Sequence, residues 1–400
     1  MQRLLDLLGR HYTRGTLELA VAGGRVWRLG RGEPRARMQI RDTASLWRLL
    51  RNPRLSFGET YMEGGWEPAG GDLLAVLEVC LRNLEATQSR SPWRPLRKAA
   101  AWISEINTPW RARRNVAHHY DLDETLYRQF LDADLHYSCA YFAQPQLSLE
   151  QAQQAKCALI ARKLNLSPGA SVLDIGSGWG SLALFLAREH GVRVTGITLS
   201  QEQLRVARQR AESAGLADRV RFELNDYRSV QGRFDAVVSV GMFEHVGRPQ
   251  YRRYFSRVQE LLAPEGVALI HSIGRSTPPD GCNPWIRRYI FPGGYIPAAS
   301  EVLPAVEHSG LILCDLEVWR LHYAQTLAAW NARFQAARPA IAARLGERFC
   351  RMWTFYLQGS EAAFRWGGLA VFQLQLSRSL TRLPLTRQYL YPPTPAGIST

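Results

Sequence analysis

Val172-Leu-Asp-Ile-Gly-Ser-Gly-Trp-Gly180 is the stretch on which the reading of the fold turns. Its apolar start reads as a buried strand, Ser171–Ile175, and the glycines as a tight turn into a helix over Leu182–Glu189. A G-x-G-x-G loop between strand and helix lets backbone approach a ligand closely. Gly176, Gly178 and Gly180 have that spacing rather than the dinucleotide G-x-G-x-x-G. Asp174, at the strand end before the first glycine, suits an amino-acid ammonium or an orienting role toward the loop amides.

Outward from this loop the pattern alternates. Arg193–Thr198 reads as a second strand, followed by a Ser200-led helix to Ser213. Val220–Leu224, Phe234–Val240 and Val267–Ser272 read as further strands, with a helix over Gln250–Leu262. Strands alternating with helices predict a parallel, doubly wound sheet. Leu311–Val318 and Ala370–Leu376 read as two more strands, with helical segments between them to about Arg365. Gly274–Pro297 is rich in glycine, proline and aromatic residues and reads as a cap or lid. The second strand ends on Gly196-Ile-Thr-Leu-Ser200 without the usual ribose-binding acid, so Thr198, Leu199 and Gln203 are expected to meet a nucleoside. Asp226 is expected at its base amine and the Tyr227 ring against the base.

Residues 1–85 read as a smaller α+β domain, with strands at Thr16–Val21, Val26–Leu29 and Arg35–Ile40 and helices over Thr43–Leu50 and Asp72–Leu84. Residues 86–114, with three tryptophans among basic residues and prolines, read as a linker. A catalytic domain is expected over 115–400. The chain has 400 residues and a net charge of +15, nearly all from arginine, because Lys98, Lys156 and Lys163 are the only lysines. Such a charge suits an anionic partner, either nucleic acid or a membrane face. No apolar run approaches the ~20 residues needed to span a bilayer. The N-terminus carries no leader pattern. The six cysteines form no Cys-x-x-Cys pair, which argues against zinc and for reduced thiols in a cytoplasm. No metal is expected.

Four polar segments fall at strand ends or near them: Tyr137-Ser-Cys-Ala-Tyr141, Gly241-Met-Phe-Glu-His-Val-Gly247, His271-Ser-Ile-Gly274 and His322-Tyr323. The open end of a parallel sheet gathers such residues into a site. With Phe57–Trp66, Asn115–Leu122, His136–Phe142, Val172–Gly180, Asn283–Pro292 and Tyr323–Leu327, they make the chain resemble the cyclopropane-fatty-acid synthase family over almost its full length. The resemblance implies a Rossmann-like class I methyltransferase domain with a mostly parallel sheet. It also implies S-adenosylmethionine as co-substrate and addition of a methylene across a cis double bond of an unsaturated phospholipid acyl chain, forming a cyclopropane.

The resemblance further implies that Tyr137 and Ser138 help hold the cofactor, beside Asp174, Gly176, Gly178, Trp179, Gly180, Thr198, Leu199, Gln203, Asp226 and Tyr227 of the segments read above. A bicarbonate would be ligated around Cys139, Glu244, His271, the Ile273 backbone and Tyr323. Ser360 stands where relatives carry a cysteine. Peripheral attachment to the inner membrane follows as an expectation, with the N-terminal domain contacting lipid, no nucleic acid as partner and a homodimer compatible. Two alternatives belong beside this: a methyl-branched or methylene fatty acid as product, or a small amine as acceptor. A nucleic-acid amino-methyltransferase would carry an (Asp/Asn/Ser)-Pro-Pro-aromatic segment after strand four, where this chain has Gly-Met-Phe-Glu-His.

Overall fold

The computed structural model describes residues 2–83 and 124–391, so the expected linker at 86–114 and the Asn115–Leu122 segment lie outside the described residues. The chain divides into two compact units. The first takes the described residues before 104 together with Arg275–Gly294 and Tyr323–Ala370. The second takes the described residues between 105 and 274 together with Tyr295–His322 and the chain from Val371.

The first unit is built on a four-stranded sheet in the order β2-β1-β3-β4. Its strands are β1 (Gly15–Val21), β2 (Arg25–Arg31), β3 (Arg35–Ile40) and β4 (Trp66–Pro68). Gly23 and Gly24, both at positive φ, turn β1 into its antiparallel partner β2, while β3 runs parallel to β1. Asp42 caps the helix Thr43–Arg51 by accepting from the Ser45 N–H (2.7 Å), and Asp72 caps Leu73–Arg82 through the Ala75 N–H (2.9 Å). Leu17, Leu19, Met38, Ile40, Leu46, Trp66 and Val76 form its core, joined by Ala362 from a helix nearly three hundred residues away in sequence.

The helix Pro53–Met62 has little amphipathic contrast and carries Gly58 in its middle, so its sequence pattern does not announce it. Gly58 is explained by packing. A Cβ there would lie 2.6 Å from Trp285 Cδ1 and 2.8 Å from Phe355 Cε1, both parts of an aromatic cluster. Gly58→Ala is therefore expected to destabilise the protein by ~1–3 kcal/mol through overpacking, despite alanine's better helix propensity. A lowered denaturation midpoint would show this, and an unchanged one would mean that the aromatic cluster gives way without cost.

The division differs from the sequence reading in one respect. Residues 275–294 and 323–370 were expected to belong with the catalytic sheet, as lid and C-terminal helices, yet they pack into the first unit. Aromatic burial accounts for it: Trp285 is buried against Met62 and Phe355, and Phe355 meets Phe57 and Tyr61.

The second unit holds a seven-stranded sheet in the order β10-β11-β9-β8-β5-β6-β7. The strands are β5 (Ser171–Ile175), β6 (Arg193–Thr198), β7 (Val220–Leu224), β8 (Phe234–Val240), β9 (Leu262–Arg275), β10 (Ile312–Trp319) and β11 (Leu369–Ser377). Neighbouring pairs from β7 through β9 are parallel, and β10 pairs antiparallel with β11. This is the Rossmann-like α/β class I methyltransferase arrangement. Val172, Val194, Phe222 and Val238 from the strands pack with Ile160, Leu164 and Phe185 from helices Leu149–Leu164 and Ser181–His190. The pairings Asp174 with Gly196 and Val240 with His271 bring the carboxyl ends of four strands to one edge. Among the described residues no helix is long and apolar enough to cross a membrane.

Candidate active site

A cavity opens at that edge in the second unit. Gly176 and Ser177 donate their N–H groups to the Ile197 carbonyl (both 2.9 Å), which pins the glycine loop to the end of β6. Gly176 sits at φ 85°, and a Cβ on it would lie 2.9 Å from Met242 Cβ. Gly178, at φ 54°, has no protein atom within 4 Å of the position its Cβ would take, and it lines the cavity. Glycine at 178 is thus not demanded by packing among the described residues, which fits a backbone that a ligand approaches.

Of the twelve residues expected to hold the cofactor, eleven line this one cavity. Gly180 does not. It ends the loop in the left-handed region (φ 84°), and its Cβ would lie 2.7 Å from Phe222 Cζ, so that glycine serves helix-to-sheet packing. Thr198 donates to Gln203 Oε1 (2.8 Å) and accepts from the Ser200 N–H (3.1 Å), fixing the end of β6. Asp226, expected at the base amine, lines the cavity with its carboxylate clamped by Arg228 at 2.8 and 2.6 Å. The Tyr227 ring meets Tyr254 edge-on at 5.2 Å.

Two buried polar atoms at the cavity, Asp174 Oδ2 and Trp179 Nε1, find no protein partner among the described residues. Such orphans are costly unless a ligand satisfies them. An acidic oxygen beside a glycine loop fits a zwitterionic amino-acid group. Sequence reasoning missed Lys156, Met242 and His245, which also line the cavity. Lys156 comes from the helix Leu149–Leu164, whose signal was the capping box formed by Ser148 and Gln151.

The residues expected at the reacting centre separate into two groups. Glu244, His271 and Ile273 come together at the ends of β8 and β9, where Gly241 donates to the His271 carbonyl (2.9 Å). Gly241, at φ 70°, turns the chain into a short 3-10 segment, Phe243–His245, that points Glu244 inward. Glu244 Oε1 accepts from the Ile273 N–H (2.6 Å), while Oε2 is buried with no hydrogen-bond partner among the described residues. The Ile273 amide thus holds Glu244, a role the sequence did not foresee.

His271 is buried with Nδ1 3.0 Å from Gln373 Nε2, and burial pushes its pKa well below the ordinary value. A neutral ring whose Nδ1 accepts from that amide keeps its hydrogen on Nε2. Cys139 is fully buried, with its thiol donating to the Ala140 carbonyl (3.3 Å). Tyr323 belongs to the first unit, packed on Trp330 and Phe364, and Ser360 is half-buried on the helix Glu347–Trp366.

Burial pushes both Asp174 and Glu244 up to about 7, with Lys156 opposing it at Asp174 and the Ile273 hydrogen bond opposing it at Glu244. A carboxyl whose folded pKa exceeds its unfolded value binds its proton more tightly in the fold. Each therefore stabilises the ligand-free protein at low pH, and that contribution falls as pH rises from the ordinary carboxylate values toward about 7. Asp174→Asn should flatten the decline in denaturation midpoint between about pH 5 and about pH 7.5 relative to the unmodified protein. A slope unchanged by the substitution would show that Asp174 ionises freely in the fold.

A parallel sheet with an antiparallel edge, a glycine loop after its central strand β5 and an acid at that strand's end define the class I methyltransferases that use S-adenosylmethionine. Comparison with known proteins narrows this. The profile of mycolic acid cyclopropane synthetases matches residues 108–374. The chain is 38% identical to the cyclopropane-fatty-acyl-phospholipid synthase of Escherichia coli K12 over 87% of its own length and 90% of that protein. It is also 38% identical to the tuberculostearic acid methyltransferase of Mycobacterium tuberculosis, over 93% of this chain and 90% of that one. Among solved structures, the mycolic acid cyclopropane synthase CmaA1 complexed with SAH and CTAB is 33% identical, with a TM-score of 0.63, over 66% of this chain and 97% of that one. The chain belongs to the cyclopropane synthase family of S-adenosylmethionine-dependent lipid methyltransferases.

Proposed function

We propose that this enzyme converts the cis double bond of an unsaturated phospholipid acyl chain into a cyclopropane, with the cofactor seated in the cavity above β5 and β6. The observation that carries the reading is the buried Glu244 carboxyl, anchored by one oxygen to Ile273 and left with the other oxygen unpartnered among the described residues. S-adenosylmethionine supplies an electrophilic methyl. An alkene is a poor nucleophile, so the protein's work is alignment and exclusion of water. The alkene π pair forms the new C–C bond while the methyl–sulfur bond breaks, and its electrons stay on sulfur. The lipid carbocation then loses a proton from the new methyl group, and those C–H electrons close the ring.

A bound bicarbonate would supply the base for that proton. The donor set suits it: Glu244, pushed up to about 7, can hold a shared proton, and His271 offers a neutral N–H. Cys139 would complete the set within this unit. Aromatic faces stabilise a passing cation, and Tyr141 and Phe142 in the second unit are the residues we assign to the acyl path.

The 38% identity to a tuberculostearic acid methyltransferase favours one second reading, a methyl-branched or methylene fatty acid as product. Mass spectrometry of lipids from a bacterium lacking such an enzyme, before and after expression of this chain, separates them. Ring closure adds one carbon and two hydrogens to monounsaturated chains and gives cyclopropane resonances by NMR. A saturated methyl branch adds two hydrogens more, a methylene product retains an alkene, and unchanged lipids would sink both readings.

We further propose peripheral attachment of a cytoplasmic enzyme to an anionic membrane, supported by the net charge of +15. Basic residues near such a surface contribute ~1 kcal/mol each. Binding to anionic vesicles should weaken steeply with salt, and equal binding to neutral and anionic vesicles at low salt would refute it.

A further inference from the structure

Two of the chain's three lysines are buried, and one of them lines the cofactor cavity. Lys156 is 1% exposed. Its Nζ donates to Ser138 Oγ (2.9 Å) and to Gln153 Oε1 (2.7 Å), both uncharged acceptors. Gln153 is itself held by donating to the Ser138 carbonyl (3.0 Å). An ammonium has three donors and a full charge; its hydrogen-bond acceptors here are neutral, and burial pushes its pKa down against the coulombic pull of Cys157, Asp132, Cys139 and Asp174. In the same cavity lies Asp174, whose Oδ2 is the orphaned buried acid. A basic and an acidic side chain thus line one cavity without a hydrogen bond between them, and a bound zwitterion would complement both.

We propose that Lys156 is a positioning residue for the amino-acid end of the cofactor: its ammonium holds Ser138 so that the serine hydroxyl receives the α-carboxylate, opposite Asp174 at the α-ammonium. Because Lys156 donates to Ser138 Oγ, the serine's own hydrogen turns away from the lysine and is available to a carboxylate. The inference rests on the reading that the cofactor occupies this cavity.

The test compares two ligands by calorimetry. S-adenosylhomocysteine carries the amino-acid group, whereas 5′-methylthioadenosine has the same nucleoside and sulfur without it. Lys156→Met and Ser138→Ala should each weaken S-adenosylhomocysteine binding roughly tenfold to 100-fold, the usual effect of losing a charge-assisted hydrogen bond. Binding of 5′-methylthioadenosine should change by less than about twofold. The double variant should be little worse than the poorer single one, because the lysine acts through the serine.

Equal losses for both ligands in Lys156→Met would make the lysine a packing residue and overturn the proposal. Unchanged S-adenosylhomocysteine binding in Ser138→Ala would overturn it too, and that smaller change decides the matter if Lys156→Met does not fold. If neither ligand responds to Gly178→Val, the cavity assignment itself has failed, an outcome separable from failure of Lys156.

Discussion

Glu244→Gln is expected to lower turnover by ~10²–10⁴-fold, the usual effect of losing a general base or the group that positions one, while S-adenosylhomocysteine binding stays intact. The amide oxygen of glutamine can still accept from the Ile273 N–H as Glu244 Oε1 does at 2.6 Å, so the turn after β8 keeps its shape. What changes is the other oxygen, buried and without a hydrogen-bond partner among the described residues, which becomes an NH₂ group. That group can donate but can neither accept nor share an ionisable proton. The cofactor residues at Gly176, Gly178 and Thr198–Gln203 lie at or just past the ends of β5 and β6, and Glu244 itself does not line that cavity although Met242 and His245 do, so affinity should be spared. Product formation on vesicles of monounsaturated phospholipid, beside calorimetry, checks both halves. Added bicarbonate should restore part of the activity if occupancy is the defect. Normal turnover by Glu244→Gln in bicarbonate-depleted buffer would refute the base assignment and leave the family untouched.

Gly178→Val should weaken cofactor binding by roughly 100-fold or more, beyond what backbone strain alone produces. Gly178 has φ 54°, where a β-branched residue costs ~1–2 kcal/mol. That strain would appear as lower stability. The loss of binding has another origin: its Cβ would meet no protein atom within 4 Å, so the valine methyls enter the ligand's space. Gly178→Ala carries much of the strain but less of the bulk, and it should bind with intermediate affinity. Unchanged affinity in Gly178→Val would end the argument that this loop cradles the cofactor.

The central strands were legible because they are buried in a parallel sheet. Ser171–Ile175 and Phe234–Val240 read as mostly apolar runs, broken only by Asp174, Asp235 and Ser239 past their first residues, and their limits agree with the structure. The N-caps Asp42 and Asp72 also stand just ahead of apolar periodicity. The helix Leu149–Leu164 went unassigned because Gln153, Lys156 and Lys163 are polar yet buried, which blurs the amphipathic stripe. Losing that helix hid Lys156, and with it the charge at one end of the cavity. The buried chain Asp132–His136–Cys157, with 2.8 and 3.2 Å separations, was invisible for the same reason, since Cys157 sits on that helix. Glu244, His271 and Ile273 were found by family resemblance, and their mutual anchoring required coordinates.

The first unit is assembled from three separated stretches of chain, and this limits how the protein can be shortened. Removing residues before about 84 would strip Phe57, Tyr61, Met62 and Trp66 from the side chains they cover. Phe355 would lose the Phe57 and Tyr61 rings, Trp285 would lose Met62, and Arg351, which donates to the Tyr61 carbonyl (2.6 Å), would keep neither that acceptor nor the Tyr61 ring 4.3 Å beneath it. The remainder would expose apolar side chains of the helices Pro284–Tyr289 and Glu347–Trp366, the kind of surface that drives self-association. A protease that clips an exposed loop of this enzyme should therefore leave fragments that stay together until denatured, because the cut ends still belong to one core.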